Sequence, residues 1–422
     1  MARVYTPQDG YAIMTVLTRL ATGQQSLTTV TNMSDYISAG ELVQSTGKEN
    51  VYNALGILIG RTLIATRAYR AKLALMNAID TGTYTNRLRK ISYYAKDPLP
   101  SGWFNTDLFT NLADGYDGGN NGGSSVGSQW EQHQSMPLEM NFGGCTTFDE
   151  CLTLYEDQVD IAFRDPQELA AFIAGQVQEH ENDIESEKET FNRMTLLSKI
   201  AATYAYDAGG LSHQVVNLTA AYNAWFGTTY TSAQLRSTYL KSFLEFMTAT
   251  IKEYSRHLTE RSANHHLALT KTVGGVNYSI LRHTPKSEQR LYLFENLFDK
   301  AESMVLPEIF NPQYLSIENY EAVDYWQSNY DDTERPIIKV KTAILDTLTG
   351  AQTASSDVEL DYVVGLLVDR DAMMNQVILE RSLSTPVNAR KGYRNVWLHF
   401  AKNAINDPTE NAILFIMEDP TP

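Results

Sequence analysis

The stretch that most resembles catalytic machinery is Gly123-Ser124-Ser125-Val126-Gly127, which matches the G-x-S-x-G nucleophile elbow. That elbow works because a strand leads in and a helix leads out, holding the serine on a strained turn above a sheet. Here the five residues continue the Gly/Asn run Asp117-Gly118-Gly119-Asn120-Asn121-Gly122 and have neither flank, so the match reads as coincidence. His265-His266, with Glu260 nearby, could suggest a metal, but adjacent histidines point in different directions while helical zinc pairs sit at i and i+4. His180-Glu181 lacks the second histidine of the metalloprotease pattern. The carboxylate clusters Glu185/Glu187/Glu189 and Asp331/Asp332/Glu334 fit solvated faces of a helix and a turn. Cys145 and Cys151 have neither zinc-knuckle nor Cys-x-x-Cys spacing, and no phosphate-binding or dinucleotide fingerprint occurs. The expectation is a non-enzyme with no catalytic, cofactor-binding or metal-binding residues.

The elements around these residues point instead to a structural role. With 422 residues the chain exceeds what one core usually serves, so two or more subdomains are expected. Tyrosine leads the aromatics (24 Tyr, 15 Phe, 5 Trp), and an apolar ring with a polar tip suits surfaces that become half buried against a partner. The net charge of −16 argues against a general nucleic-acid binder and suits a container wall that must not adhere to DNA. The charge is segregated: residues 1–97 carry 11 Lys/Arg and 6 Asp/Glu, residues 139–189 carry 2 and 14, and residues 381–402 have no carboxylate. Such blocks can be complementary faces of neighbouring copies. The opening MARVYTPQDG has no signal-peptide layout, and the apolar runs Ala54–Gly60 and Ala412–Met417 are too short to cross a bilayer. A soluble chain made in a cytoplasm, with no membrane partner, is expected.

Along the chain, Thr6-Pro7 opens a helix whose Tyr11, Met14, Leu17 and Ala21 share a face before Gly23 ends it. Residues 24–47, rich in Ser, Thr, Gly and Gln, read as an arm with little core of its own, and Val51, Leu55, Leu58 and Ile59 mark a second helix. Residues 84–144 start with Arg87, Arg89 and Lys90, pass Trp103 and Phe104, reach the Gly/Asn tip and return through Trp130. An excursion this long usually has a job, and aromatics beside a mobile tip suit a hairpin lying on a partner; the alternative is a disordered surface insertion. Thr146–Arg164 can be extended. Asp165-Pro166 then caps a helix over 166–205, about 55–60 Å long, with a possible break near Asn182. Residues 213–300 have a mostly helical pattern, 301–336 is acidic and proline-punctuated, and β-rich runs follow at Ile337–Leu345, Tyr362–Val368, Val377–Leu379, Val396–Phe400 and Ile413–Met417. A long helix beside a sheet built from distant segments is an α+β architecture.

The most familiar stretches are Tyr362-Val363-Val364-Gly365-Leu366-Leu367-Val368-Asp369-Arg370-Asp371-Ala372-Met373, Ala389-Arg390-Lys391-Gly392-Tyr393-Arg394-Asn395-Val396-Trp397-Leu398-His399-Phe400, and the closing Ile413–Met417. With the order of parts before them, they resemble the major capsid proteins of tailed bacteriophages, which share the Hong Kong 97 fold, and within that group small short-tailed phages. The likeness covers most of the chain as layout and short stretches as motif. It implies an N-terminal arm (1–50), the start of a peripheral domain (51–83), an extended E-loop hairpin (84–144) and a peripheral domain (145–212) with a spine helix at 166–205. An axial domain (213–336) and a β-rich closing segment (337–422) complete the order. It further implies a subunit that forms hexamers and pentamers, closes an icosahedral shell around double-stranded DNA without reading its sequence, and works with portal and scaffolding or auxiliary head proteins. The virion would be assembled in a bacterial host's cytoplasm. Expected interface residues are Arg87, Arg89, Lys90, Trp103, Phe104, Trp130, Glu181, Glu185, Arg390, Lys391 and Arg394, with the basic blocks facing a neighbour's acidic Glu179–Glu189 or Asp331/Asp332/Glu334. Rival readings are an encapsulin-like compartment, a helical phage adaptor or portal-associated protein, and a cytoplasmic serine hydrolase using Ser125.

Overall fold

The computed structural model describes residues 7–22, 29–45, 73, 77–80, 87–95, 136–144, 146–155, 166–273, 276–297, 319–346, 351–354 and 357–419. They fall into two units of interleaved segments: Met1–Arg87, Gly143–Leu196 and Met373–Asn406 in the first, and Leu88–Phe142, Leu197–Ala372 and Asp407–Pro422 in the second.

Helix α1 (Pro7–Thr22) begins with proline in the first turn, where a missing N–H costs nothing, and buries Met14 and Leu17. Helix α2 (Met33–Ser45) occupies the stretch expected to be a core-poor arm. Asn32 caps it by accepting from the Asp35 N–H at 2.8 Å, and Tyr36 and Val43 are buried one helical stripe apart. Its Ser, Gly and Gln content masked that stripe in the sequence. The Thr15 hydroxyl of α1 accepts from the Val30 N–H at 3.0 Å and so ties the entry of α2 to α1.

The chain continues through β1 (Asn77–Asp80), β2 (Arg87–Tyr93), β3 (Pro137–Gly143) and β4 (Thr146–Tyr155) to α3 (Pro166–Ala208). At 43 residues α3 is unbroken through Asn182, and at 1.5 Å per residue it spans about 65 Å. The tip of the 84–144 excursion, the helix expected from Val51 and the Ser125 motif all lie outside the described residues.

Next come β5 (Val215–Asn217), α4 (Leu218–Phe226), α5 (Ser232–Ser237) and α6 (Leu240–His257). Asn217 caps α4 by accepting from the Thr219 and Ala220 N–H groups, Gly227 ends it in a left-handed conformation at φ 66°, and Thr231 with Gln234 forms a capping box on α5. Helix was expected to dominate on to residue 300, but extended segments take over: β6 (Thr270–Val273), β7 (Val276–Ser279) and β8 (Gln289–Phe294). Leu291, Tyr292, Leu293 and Phe294 are all buried, so β8 is covered on both sides and shows no alternation to betray it.

After β9 (Tyr320–Val323) the apolar run at 337–345 splits into β10 (Ile338–Val340) and β11 (Ala343–Leu345). The remaining strands are β12 (Gln352–Ala354), β13 (Val358–Leu360), β14 (Val363–Asp369), β15 (Met373–Ser384), β16 (Tyr393–Asn406) and β17 (Ala412–Ile416).

In the first unit β1, β15, β16 and β4 form a sheet in that order, with β1 parallel to β15 and the other pairs antiparallel. One face of this sheet is buried. Leu152, Leu154 and Val396 pack with Met14, Leu17, Val30, Tyr36 and Val43, and Phe148 meets Phe191 of α3 edge to face. In the second unit the order is β5, β17, β14, β8, β9. Central β14 is buried from Val363 to Val368, and Trp326 caps its start by donating Nε1–H to the Val363 carbonyl at 2.9 Å. The fold is thus α+β, as the pattern of elements implied.

A Cβ at Gly365 would lie 2.7 Å from the Tyr292 carbonyl oxygen and 2.7 Å from Leu293 Cδ2. The strand pair can admit it only by moving backbone. Gly365→Ala is expected to lower stability by about 1–3 kcal/mol, read as a fall in urea midpoint without a change in slope.

Candidate assembly surface

The root of the 84–144 excursion is described on both sides. β2 and β3 pair, the Tyr94 N–H donates to the Met136 carbonyl at 3.0 Å, and the Ala95 N–H donates to the Ser279 carbonyl at 2.8 Å. Strand periodicity divides β2 into two sides. Lys90 and Ser92 turn inward, while Arg89, Ile91 (47% exposed) and Tyr93 (63% exposed) turn outward. Arg89 pairs with Glu139 of β3 at 2.9 Å, with both side chains in solvent.

The inward side meets an ion cluster within the second unit. Lys90 Nζ contacts both the Asp407 and the Glu410 carboxylates. Arg282 pairs with Glu410 at 3.3 Å, donates to the Thr409 carbonyl at 3.1 Å and to the Ser92 hydroxyl at 2.7 Å. Lys199 of α3, fully buried, donates to the Asp407 carbonyl at 2.6 Å. Both acids sit on the turn between β16 and β17, where Asp407 Oδ1 also accepts from the Thr409 N–H and hydroxyl at 2.8 and 2.7 Å.

Burial alone would raise the Asp407 carboxyl, but the Lys90 ammonium and the Thr409 donors outweigh it and hold the group below its ordinary range. Glu410 is raised, because burial exceeds the help from Lys90 and Arg282. Burial pulls Lys199 down to about 8 despite the neighbouring Asp407 and Glu410.

The expected interface residues separate accordingly. Lys90 and Arg394 turn inward, which corrects their reading as exposed cations: Lys90 holds the ion cluster, and Arg394, 3% exposed, donates to the Ser384 hydroxyl at 3.0 Å. Arg89 is exposed, and so are Arg390 and Lys391 on the turn between β15 and β16. Glu185 is half-buried beside Lys188 at 3.3 Å. The Arg87 and Glu181 side chains, and Trp103, Phe104 and Trp130 entirely, lie outside the described residues. Ile91 and Tyr93 were missed, although their alternation with Lys90 and Ser92 was the available signal.

The other candidates are absorbed by the fold. His266 is buried with Nε2 2.9 Å from the Ile280 carbonyl, and burial pulls it down to about 4, so it is a neutral core ring. Asp331 caps its own turn through the Thr333 and Glu334 N–H groups. Among the described residues no three His, Cys, Asp or Glu side chains are arranged to hold a metal, and no helix is long and apolar enough to cross a membrane.

Removing Lys90 leaves two largely buried carboxylates short of a cation. Lys90→Met is expected to cost about 3 kcal/mol in urea unfolding of the unassembled subunit, the lower part of the range for breaking a buried pair, because Lys90 keeps some solvent contact. Lys199 acts with the opposite sign. Between its folded value of about 8 and the ordinary 10.5, the unfolded chain binds more protons, so this group adds stability as pH rises through that window. Lys199→Met is expected to abolish that rise, seen by comparing urea midpoints of both proteins at about pH 7.5 and 10.

A family model described as "Phi29-like phage major capsid protein" matches residues 148–416, more than half of the chain. No curated protein matches it. Among solved structures, the capsid of Staphylococcus phage Andhra matches with 9% identity, TM-score 0.49 and coverage of 82% of this chain and 84% of that one. A chain in the structure of the head fiber and inner core protein gp22 of native bacteriophage P68 matches with 11% identity, TM-score 0.46 and coverage of 82% and 86%. The capsid of Cyanophage P-SCSP1u matches with 9% identity, TM-score 0.39 and coverage of 82% and 87%. With the family match spanning the long helix α3, most of both principal sheets and the ion-bearing turn, the chain belongs to the Phi29-like phage major capsid proteins, structural subunits that assemble with copies of themselves into the shell of a phage head.

Proposed function

We propose that this subunit forms hexamers and pentamers which close into an icosahedral head around double-stranded DNA, and that the 84–144 excursion is the E-loop by which each copy grips a neighbour. The family match over residues 148–416 carries the shell reading, and the segment 84–144 lies before it. The inward Lys90 and the outward Ile91 and Tyr93 support it, because a strand held on one side by buried charge and offering apolar side chains on the other suits a rigid root for a reaching segment. Assembly takes place in the host cytoplasm, with portal and scaffolding or auxiliary head proteins as partners. The DNA is enclosed without base-specific contacts, consistent with a chain of net charge −16.

Negative-stain imaging of the overexpressed chain, alone and with a scaffolding protein from the same genome, is expected to show closed shells with six- and five-fold capsomers. Monomers at every concentration in both preparations would overturn the reading. Ser125→Ala is expected to leave shell yield unchanged, and a fluorophosphonate probe is expected not to label Ser125. Labelling there would point to hydrolase chemistry.

A further inference from the structure

The chain passes between its two units five times, at Arg87–Leu88, Phe142–Gly143, Leu196–Leu197, Ala372–Met373 and Asn406–Asp407. Within the second unit these five ends come together. Asp407, the first residue after the last crossing, is the centre. Its N–H donates to the Ala372 carbonyl at 2.9 Å, its own carbonyl accepts from Lys199 Nζ at 2.6 Å, and its carboxylate holds Lys90. Ala372 is the last residue before one crossing, and Lys199 and Lys90 each stand two residues inside another. The remaining end follows from the ribbon. Tyr94, just past β2, meets Met136, just before β3, so the two strands run in opposite directions and Phe142 returns beside Leu88.

The residues that gather these ends hold them by charge. Asp407 and Lys199 are fully buried, and Glu410 shares Lys90 with Asp407. Arg282 fastens the group to the body of the unit, pairing with Glu410 at 3.3 Å and donating to the Ser92 hydroxyl of β2 at 2.7 Å. The Thr284 hydroxyl adds a tie to Asp369, three residues before Ala372, at 2.7 Å. Buried ion pairs add little net stability over apolar packing of the same volume, so a network placed at this spot is better explained by the geometry it holds.

A body joined to the rest of its chain through one spot can turn about that spot, with a few residues at element ends absorbing the change. Four of the five crossings lie at such ends: the start of β2, the end of β3, the start of β15 and the end of β16. The fifth is different. Helix α3 runs through Leu196–Leu197 unbroken, so the motion allowed is a bend of one helix and not free rotation.

We propose that the network of Lys90, Lys199, Arg282, Asp407 and Glu410 is a pivot between the two units, and that its ion pairs set the stiffness of the joint. A chain that fills both six-fold and five-fold positions of a closed shell needs a joint of this kind. That use rests on the reading of function above, whereas the joint itself is a property of the single subunit and is tested there.

The test removes charge without unbalancing it. Lys90→Met with Glu410→Gln takes away one charge of each sign, a change expected to leave the fold intact. Nitroxide labels are placed on Cys151, exposed in the first unit, and on Ala249→Cys, at an exposed position of α6 in the second, in a Cys145→Ser background. Pulsed dipolar spectroscopy of the unassembled subunit then reads the distribution of distances between the units. Its width is expected to at least double in the paired variant, while hydrogen exchange in β14 and β17 stays unchanged. Lys90→Arg, which keeps the cation, is expected to retain the original width. Equal widths in the paired variant and the unsubstituted chain overturn the proposal. Broadening together with faster exchange in β14 and β17 makes the network part of that unit's core and overturns it too. Should the paired variant fail to fold, Lys199→Met, which removes one contact to Asp407, is read by the same two measurements with the same outcomes. Failure of the wild-type chain to form shells would remove the proposed function and leave this result standing.

Discussion

Two carboxylates on one turn, Asp407 and Glu410, sit in an interior where neither could remain without cations. Three basic residues from three distant parts of the chain supply them: Lys90 from β2, Lys199 from α3 and Arg282 from the segment before β8. A buried ion cluster adds little net stability compared with an apolar core of the same volume, but breaking it is costly, because a charge is left behind without a partner. Its effect is therefore positional. The turn between β16 and β17, the end of the long helix and the root of the excursion are locked into one arrangement within the second unit. With Lys90 drawn in, strand periodicity leaves Arg89, Ile91 and Tyr93 facing out, so a buried electrostatic demand selects the side of the ribbon offered to solvent.

A shell subunit of this charge has to associate against its own repulsion. Screening at physiological ionic strength shortens that repulsion to about 8 Å, which leaves the immediate contact surfaces to decide the outcome. Exposed ion pairs are worth about 0–1 kcal/mol each, so specificity has to come from repetition and from aromatic area beside the charges. The exposed charges of the chain fit that demand unevenly. Several are already matched within the subunit, as Lys339 is with Glu359 and Arg370 with Glu288. Arg390 and Lys391, by contrast, lie in a stretch with no carboxylate from 381 to 402.

Much of this architecture was legible in the residues. The apolar stripe from Leu169 to Tyr204 is long enough to mark α3, and Pro7 marks the start of α1. The short apolar runs at 362–368 and 413–417 are rich in Val, Ile, Leu and Phe, as covered strands are, and they form β14 and β17. What was hidden was hidden for physical reasons. In α2 the buried positions include Tyr36 and Val43 among Ser, Gly and Gln, so packing supplies what hydropathy does not advertise. β8 lost its alternation because neighbours cover both its sides. Lys90 and Arg394 read from the sequence as interface cations because alternation reports that two sides exist and not which one faces the core, and a buried cation such as Lys90 is announced only by partners far away in the chain, here Asp407 and Glu410.

The pair β15–β16 shows why a shell protein can alter its outer face without losing its fold. Along β16, Arg394, Val396 and Phe400 are buried, while Tyr393, Asn395, Trp397 and His399 alternate with them toward the open side. A slip of one residue would exchange the two sets and place Trp397 and His399 where Val396 and Leu398 now pack. Register is therefore held by the core, through Val396 in the cluster with α1 and α2 and the stacking of Phe148 on Phe400. The irregularity between Val377 and Leu379 shifts the β15–β16 pairing by one residue, so the Met373–Val377 end and the Leu379–Ser384 end follow separate registers. At the first end Asn375, Lys402 and Asn403 are buried, and at the second the outward residues stay open. One hairpin thus serves the core and a surface at once. Because the core alone dictates its register, the outward positions 381, 383, 393, 397 and 399 are free to follow the demands of whatever meets them.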